Sequence, residues 1–503
     1  MDNHTLKSTA FLIVLLLGLE NAVSGSSDVR HCENVVKRWA SSALEQQVKG
    51  DKHTLQDLLF FLHVPRTGGR AYFHCFLKKL YSNAEECPRS YDKLRFDPSK
   101  KKCRLLVTHD DYSMMSKLPK DKTSVVTILR NPVDRVFSTY EFSVEVAARF
   151  LVHPNLTSAT QMARHVRSKT GGVSTLDIWP WKYLVPWMRE DLFARRDARK
   201  LRLFNKVEGD NPFDMEEMVM PLHEYITDPM AHDIVHNGAT FQVAGLTNNS
   251  YFMESHDVRH CVQQYKTLGA HVLEVAKKRL DDMLYVGLTE DHKESATMFA
   301  NVVGAQVISQ GLAANSSMEL ADDSKSEQSL SISDADPDND DHHMQTDASN
   351  NVRSENASKE NPVGKGEHMT VKKLMEAYEG CISGLRKTQG SRRSASLRRI
   401  TPANFSKGDR LKVPEVVIEQ IRSLNSLDLE LYKYAQDIFA NLHTRTVQKM
   451  ASTEGVVLGS ILEENTDGIA LWKILSWAMP VGLLLLLILV FVNARRRISK
   501  LKI

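Results

Sequence analysis

The stretch Leu58 to Arg70, LLFFLHVPRTGGR, decides the fold. Leu58 to Val64 is a short run rich in apolar strand formers, and it reads as a strand buried in a sheet. Pro65 ends it. Beyond the proline, Arg66, Thr67, Gly68 and Gly69 let the backbone bend closely around an anion, and Ala71 to Leu80 reads as a helix whose N-terminal amides face that anion. A strand, an anion loop and a helix in succession predict an α/β fold with a central parallel sheet flanked by helices. The ATP-hydrolysing form of this unit is excluded, because the G-x-x-x-x-G-K-[ST] spacing is absent and no Lys-Ser/Thr pair is placed to hold magnesium.

Working outward, Leu105 to Val107 makes a second short strand that ends in Thr108, His109, Asp110 and Asp111. Such folds carry their reacting groups at the carboxyl ends of strands, and imidazole titrates near neutral pH, so His109 is a candidate general base. The alternative is a surface histidine among the nineteen in the chain. Val125 to Leu129 is the third strand. After it, LRNPVDRVFS (Leu129 to Ser138) has Arg130 at the strand end, Pro132 opening a helix, and Arg135 and Ser138 on its first turns. That order aims amides, a cation and a hydroxyl at a second anion.

The 503-residue chain carries a net charge of only +3, which argues against a nucleic-acid partner. Lys7, the apolar run Ala10 to Leu19 and the small residues Ala22, Ser24 and Gly25 read as a secretory signal cut near Ser24. Ile474 to Val492 is uncharged and is followed by Arg495, Arg496, Arg497, Lys500 and Lys502, the pattern of a C-terminal transmembrane helix with a cytosolic basic tail. Together they predict a single-pass type I protein with its main domain in the secretory lumen. The six cysteines (Cys32, Cys75, Cys87, Cys103, Cys261, Cys381) include no C-x-x-C, which disfavours zinc and thioredoxin chemistry and leaves fifteen possible pairings. Sequons at Asn155, Asn248, Asn315, Asn356 and Asn404 are candidate glycosylation sites.

VPRTGG with LRNPVDRVFS resembles the two phosphate-binding elements of the sulfotransferases that use 3'-phosphoadenylyl sulfate (PAPS). THDDYSMM resembles the segment around the catalytic histidine of heparan sulfate 6-O-sulfotransferases. YVGLTEDHKESATMFA (Tyr285 to Ala300) and PEVVIEQIRSLNSLDLELYKYAQDIF (Pro414 to Phe439) resemble that family's two closing helical segments. The likeness runs from about Leu55 to His443. A signal, a domain of this kind and a C-terminal span is the layout of the plant tyrosylprotein sulfotransferases, which the chain resembles throughout. The resemblance implies a P-loop-like sulfotransferase fold and transfer of a sulfuryl group from PAPS, as co-substrate, to tyrosines of secreted peptides and proteins in the Golgi, with acidic residues near those tyrosines. It implies that Arg66, Thr67, Gly68, Gly69 and Arg70 hold the 5'-phosphosulfate and that Arg130 and Ser138 hold the 3'-phosphate, with His109 as base and no metal. The glycan enzymes have lysine where Arg66 stands, so Arg66 is given charge stabilisation rather than proton donation. A glycan O-sulfotransferase and a non-catalytic lumenal binding protein remain the alternatives.

The expected organisation is a signal at 1–24, a helical lead-in at 25–54, the first part of the sulfotransferase domain at 55–311 and a disordered acidic insert at 312–365. Closing helices at 366–445, a stalk at 446–473, the transmembrane helix at 474–492 and the basic tail at 493–503 complete it. Val35, Val36, Trp39, Leu44 and Val48 lie roughly on one face of the lead-in. The insert holds nine acids against Lys325 between Glu319 and Asp341 and lacks aromatics. Trp179, Trp181 and Trp187 are core or acceptor wall, with Lys182 among them as a candidate contact. Arg195, Arg196, Arg199, Lys200 and Arg202 form a basic helix face. A second basic run, Arg386 to Arg399, reads as a loop beside the acceptor or a mobile one.

Overall fold

A computed structural model of the chain describes residues 27–45, 51–87, 103–152, 220–318, 369–397 and 410–464. The chain divides into two units, 1–440 and 441–503, and the sheet lies in the first.

Helix α1 (27–45) precedes β1 (Leu58–Leu62). α2 opens at Gly69–Tyr72, widens into a π turn at Phe73–Leu77 and ends at Lys78–Leu80. β2 (Leu105–Thr108), β3 (Thr123–Leu129) and the long α3 (Pro132–Val152) follow. Then come α4 (Gly238–Val243), α5 (Ser255–Gln264), α6 (Gly269–Asp281) and β4 (Tyr285–Leu288). α7 begins at His292–Phe299 and passes through a π turn at Ala300–Gly304 into Ala305–Met318. α8 (Val371–Leu397), α9 (Glu415–Leu424) and α10 (Ser426–Glu464) follow.

The four strands pair in parallel in the order β2-β1-β3-β4. Every strand residue is buried, as an apolar run without alternation requires. The register sets Leu62 beside Thr108 and Thr127, and Leu129 beside Leu288, so His63, His109, Arg130 and Thr289 leave the sheet at the same end. The chain leaves β1 for one edge and β3 for the other. A crevice therefore opens between the carboxyl ends of these two neighbours, where open α/β sheets bind ligands.

α2, α7 and α8 share a packed aromatic cluster. Tyr72 meets Phe299 edge-on at 5.2 Å and Phe76 stacks on Tyr378 at 4.0 Å. Gly304 lets α7 approach α8 closely, since a Cβ there would stand 2.7 Å from Leu374 Cδ2. Three disulfides settle the pairing that spacing left open: Cys32–Cys261, Cys75–Cys381 and Cys87–Cys103.

Several expectations are corrected. The parallel sheet flanked by helices stands, but the transmembrane helix expected with it has no counterpart among the described residues. Among the described residues no helix is long and apolar enough to cross a membrane, and 474–492 lies outside them. The basic run beginning at Arg386 is no loop: it belongs to α8 as far as Leu397, held to α2 by Cys75–Cys381. α7 continues to Met318, so 312–318 belongs to a helix rather than to the insert, whose remaining residues up to 365 lie outside the described ones. β1 ends two residues before the predicted limit, because Val64 and Pro65 turn away into the loop. In α1, Val36 and Trp39 are buried but Leu44 is 39 % exposed. Trp179, Trp181, Trp187, Lys182 and the basic face from Arg195 to Arg202 lie outside the described residues.

Candidate active site

The loop after β1 is built on two left-handed residues, Arg66 at φ 68° and Gly68 at φ 83°. Glycine takes this conformation freely. An arginine does so at a cost that surrounding contacts must hold in place. Those contacts come from three strands. Thr67 Oγ1 donates to Val64 O at 2.9 Å, and the Thr289 hydroxyl, just past β4, lies 2.7 Å from Thr67 O and 3.0 Å from Leu129 O. Arg130, just past β3, donates from Nη1 to Arg66 O at 3.2 Å.

So braced, the Arg66 side chain crosses the crevice to α3. Its Nε and Nη2 donate to Ser138 Oγ at 3.2 and 3.1 Å, and its guanidinium lies 4.4 Å from the centre of the Phe142 ring. Arg66 and Ser138, expected at opposite ends of one nucleotide, are thus in direct contact, and Arg130 touches the same loop. Burial pushes the Arg66 guanidinium down to about 10, with Glu145 opposing and Arg130 assisting, so it remains a cation near neutral pH. Burial lowers Arg130 as well. The Nε of Arg130 is buried without a hydrogen-bond partner, and the Glu290 carboxylate stands 3.9 Å away. A cation with an unspent donor, a hydroxyl and the start of α2 at Gly69 and Arg70 fit a doubly anionic nucleotide. One turn beyond Ser138, buried Glu141 accepts from Arg393 Nη2 at 3.1 Å and from Arg410 Nε and Nη2 at 2.6 and 2.8 Å. That carboxylate ties α8 and the start of the closing segment to α3.

His109 stands half-buried at the end of β2, with Nδ1 3.1 Å from the carbonyl oxygen of His63. A carbonyl only accepts, so Nδ1 carries the proton and the lone pair resides on Nε2, the tautomer a general base requires. Gln242 on α4 fixes both histidine segments from above: its Nε2 lies 3.2 Å from His63 O and 2.8 Å from His109 O. The two acids after His109 are structural. Asp110 accepts from Thr108 Oγ1 at 2.8 Å and from the Asn249 amide. Asp111 accepts from Ser113 N at 3.0 Å and from Thr247 N and Oγ1 at 2.9 and 2.7 Å, while burial raises its pKa.

α4 is positioned by exchange with α10. Asp428 of α10 accepts from Ala239 N, Thr240 N and Thr240 Oγ1 at the start of α4, and from Arg135 Nη2 at 2.8 Å. In return Asn237, before α4, accepts from Leu427 N and Asp428 N. Arg135 therefore faces a buried carboxylate and not the crevice. Sequence reading missed His63, Gln242, Thr289 and Asp428. The segments Tyr285 to Ala300 and Pro414 to Phe439, singled out for their resemblance, hold Thr289 and Asp428.

Among the candidate sequons, Asn248 has its amide donating to Asp233 and its carbonyl accepting from Arg259. Asn315 falls within α7, while Asn155, Asn356 and Asn404 lie outside the described residues. Among the described residues no group of His, Cys, Asp and Glu is arranged to hold a metal ion.

A family model described as a sulfotransferase domain matches residues 34–180. The chain is similar to a protein-tyrosine sulfotransferase of Arabidopsis thaliana, 59 % identical over an alignment of 497 positions that covers 95 % of this chain and 95 % of the relative.

Proposed function

Because the chain belongs to the protein-tyrosine sulfotransferases, we propose that it moves a sulfuryl group from PAPS to tyrosine hydroxyls of secreted peptides and proteins, with His109 as general base. The observation that carries the reading is the meeting of Arg66, Ser138 and Arg130 in the β1/β3 crevice, beside a histidine whose Nδ1 is already engaged.

A tyrosine phenol has a pKa of about 10, so nearly all of it is protonated near neutral pH and attack needs a base. His109 Nε2 takes the phenolic proton as the phenol oxygen bonds to sulfur and the bond from sulfur to the 5'-phosphate oxygen breaks. Arg66 and the amides of Thr67 to Arg70 meet the charge that grows on that departing oxygen. Arg130 and Ser138 hold the 3'-phosphate. Since Arg66 also contacts Ser138, one cation registers the two ends of the donor. Acceptors with acids beside the tyrosine suit the α8 segment holding Arg386, Lys387 and Arg392 without an acid. Six paired cysteines support an oxidising site of action, and the family resemblance points to the lumen of the Golgi.

The test is incubation with labelled donor and two acceptors, an acidic tyrosine peptide and a desulfated glycan. Label is expected on the peptide. Label on the glycan alone rejects the acceptor, and label on neither rejects turnover.

A further inference from the structure

We propose that His63 is a positioning residue of the reaction: its imidazole, wedged between the donor loop and His109, sets the base in register with the sulfuryl group. The proposal rests on the reading of His109 as base.

Three contacts converge on His63. Its ring stacks on that of His109, with centroids 4.2 Å apart and planes 30° from parallel. It also lies against Gly69, the first residue of α2, so closely that a Cβ there would stand 2.4 Å from His63 Cδ2 and 2.5 Å from Nε2. Its carbonyl accepts a hydrogen bond from His109 Nδ1 at 3.1 Å while its amide donates to Thr108 O at 3.1 Å. One residue thus touches the helix start behind the anion loop, the strand end before the base, and the base itself.

The backbone contact fixes the tautomer of His109 and holds its ring by one edge. The stack adds a second restraint on the plane of the ring, since a flat ring offers its neighbour one preferred plane. Phe61 lies parallel to His63 at 5.6 Å and 5°, holding it from behind. A base free to swing by about 1 Å loses about 10²-fold in rate without any change in what the loop binds.

The test compares full-length His63→Ala, His63→Phe and His109→Ala, using adenosine 3',5'-bisphosphate as binding probe and kcat and KM as readouts. His63→Ala is expected to lower kcat by about 10²-fold with affinity for the bisphosphate and donor KM within about twofold of the parent. His63→Phe, which keeps a flat ring, restores kcat to within about fivefold of the parent. Gly69→Ala displaces the ring, so adding it to His63→Ala is expected to cost less than it does in the parent. Normal kcat in His63→Ala, no rescue by phenylalanine, or loss of bisphosphate binding in His63→Ala overturns the proposal. Turnover by His109→Ala would instead sink the base assignment, a separate outcome.

Discussion

The guanidinium of Arg66 rests on the hydroxyl of Ser138, through Nε at 3.2 Å and Nη2 at 3.1 Å, across 72 positions of chain. The two residues share an anion but not a task. On the proposed function Ser138 holds a group that is the same before and after transfer, whereas Arg66 also faces charge that develops during it. Ser138→Ala is therefore expected to raise donor KM about tenfold and to leave kcat within about threefold. Arg66→Gln should lower kcat by about 10²-fold or more, as loss of a group stabilising transition-state charge does. Initial rates against donor concentration separate the two. Equal effects on kcat would remove the division of labour.

Arg135 and Asp428 form an ion pair at 2.8 Å whose side chains are 1 % and 0 % exposed. Removing one partner strands the other charge in the interior, at a cost of about 3–5 kcal/mol. Asp428→Ala also frees the amides of Ala239 and Thr240 that it caps. Urea unfolding should show this loss, with kcat falling as well because α4 carries Gln242. Asp428→Asn, which keeps an acceptor for those amides, should lose less. A midpoint for Asp428→Ala within error of the parent would mean that Asp428 does not hold α10 to α3 and α4.

What the sequence disclosed was local, and what it withheld was long-range. The apolar run before Pro65, the glycines after it and the proline at the head of α3 each shape their own few residues, so the strands, the anion loop and Arg130 were readable where they stand. His109 was readable because a strand end is a local fact. His63 was hidden, since its contacts with His109 and Gly69 exist only once β1 and β2 pair and α2 turns back. Asp428 was hidden for the same reason, 293 positions from Arg135. The basic residues after Arg386 misled because composition shows charge but not the disulfide and the Phe76–Tyr378 stack that fasten their helix.

Cys75 and Cys381 lie 306 positions apart and join α2, which begins at the anion loop, to α8. A crosslink closing so long a loop restrains the unfolded chain strongly, and its removal is expected to cost about 2–5 kcal/mol. Cys75→Ser with Cys381→Ser should unfold at lower urea, and donor binding should weaken in step as α2 loses its support. Cys87–Cys103 spans only 16 positions, so its removal should cost less. Equal losses from the two pairs would show that loop length does not govern their contribution.

His236 supplies a pH dependence. Burial pushes its imidazole down to about 4, while Nε2 donates to Ile226 O at 2.6 Å and the His232 ring stacks on it at 4.0 Å. The unfolded chain binds this proton near pH 6.5 and the folded protein only near 4. The contribution to stability is therefore complete above about pH 6.5 and drains away as the pH falls towards 4. Full expression of the shift would amount to about 3 kcal/mol, and partial exposure of the ring reduces that to about 1–2 kcal/mol. Urea midpoints between pH about 7 and about 4.5 should fall in the parent and fall less in His236→Gln, whose amide still reaches the Ile226 carbonyl without titrating. Carboxylates titrate in the lower part of this window in both proteins, so the difference between the two slopes carries the result. Identical slopes would assign the acid sensitivity to other groups and leave His236 as packing alone.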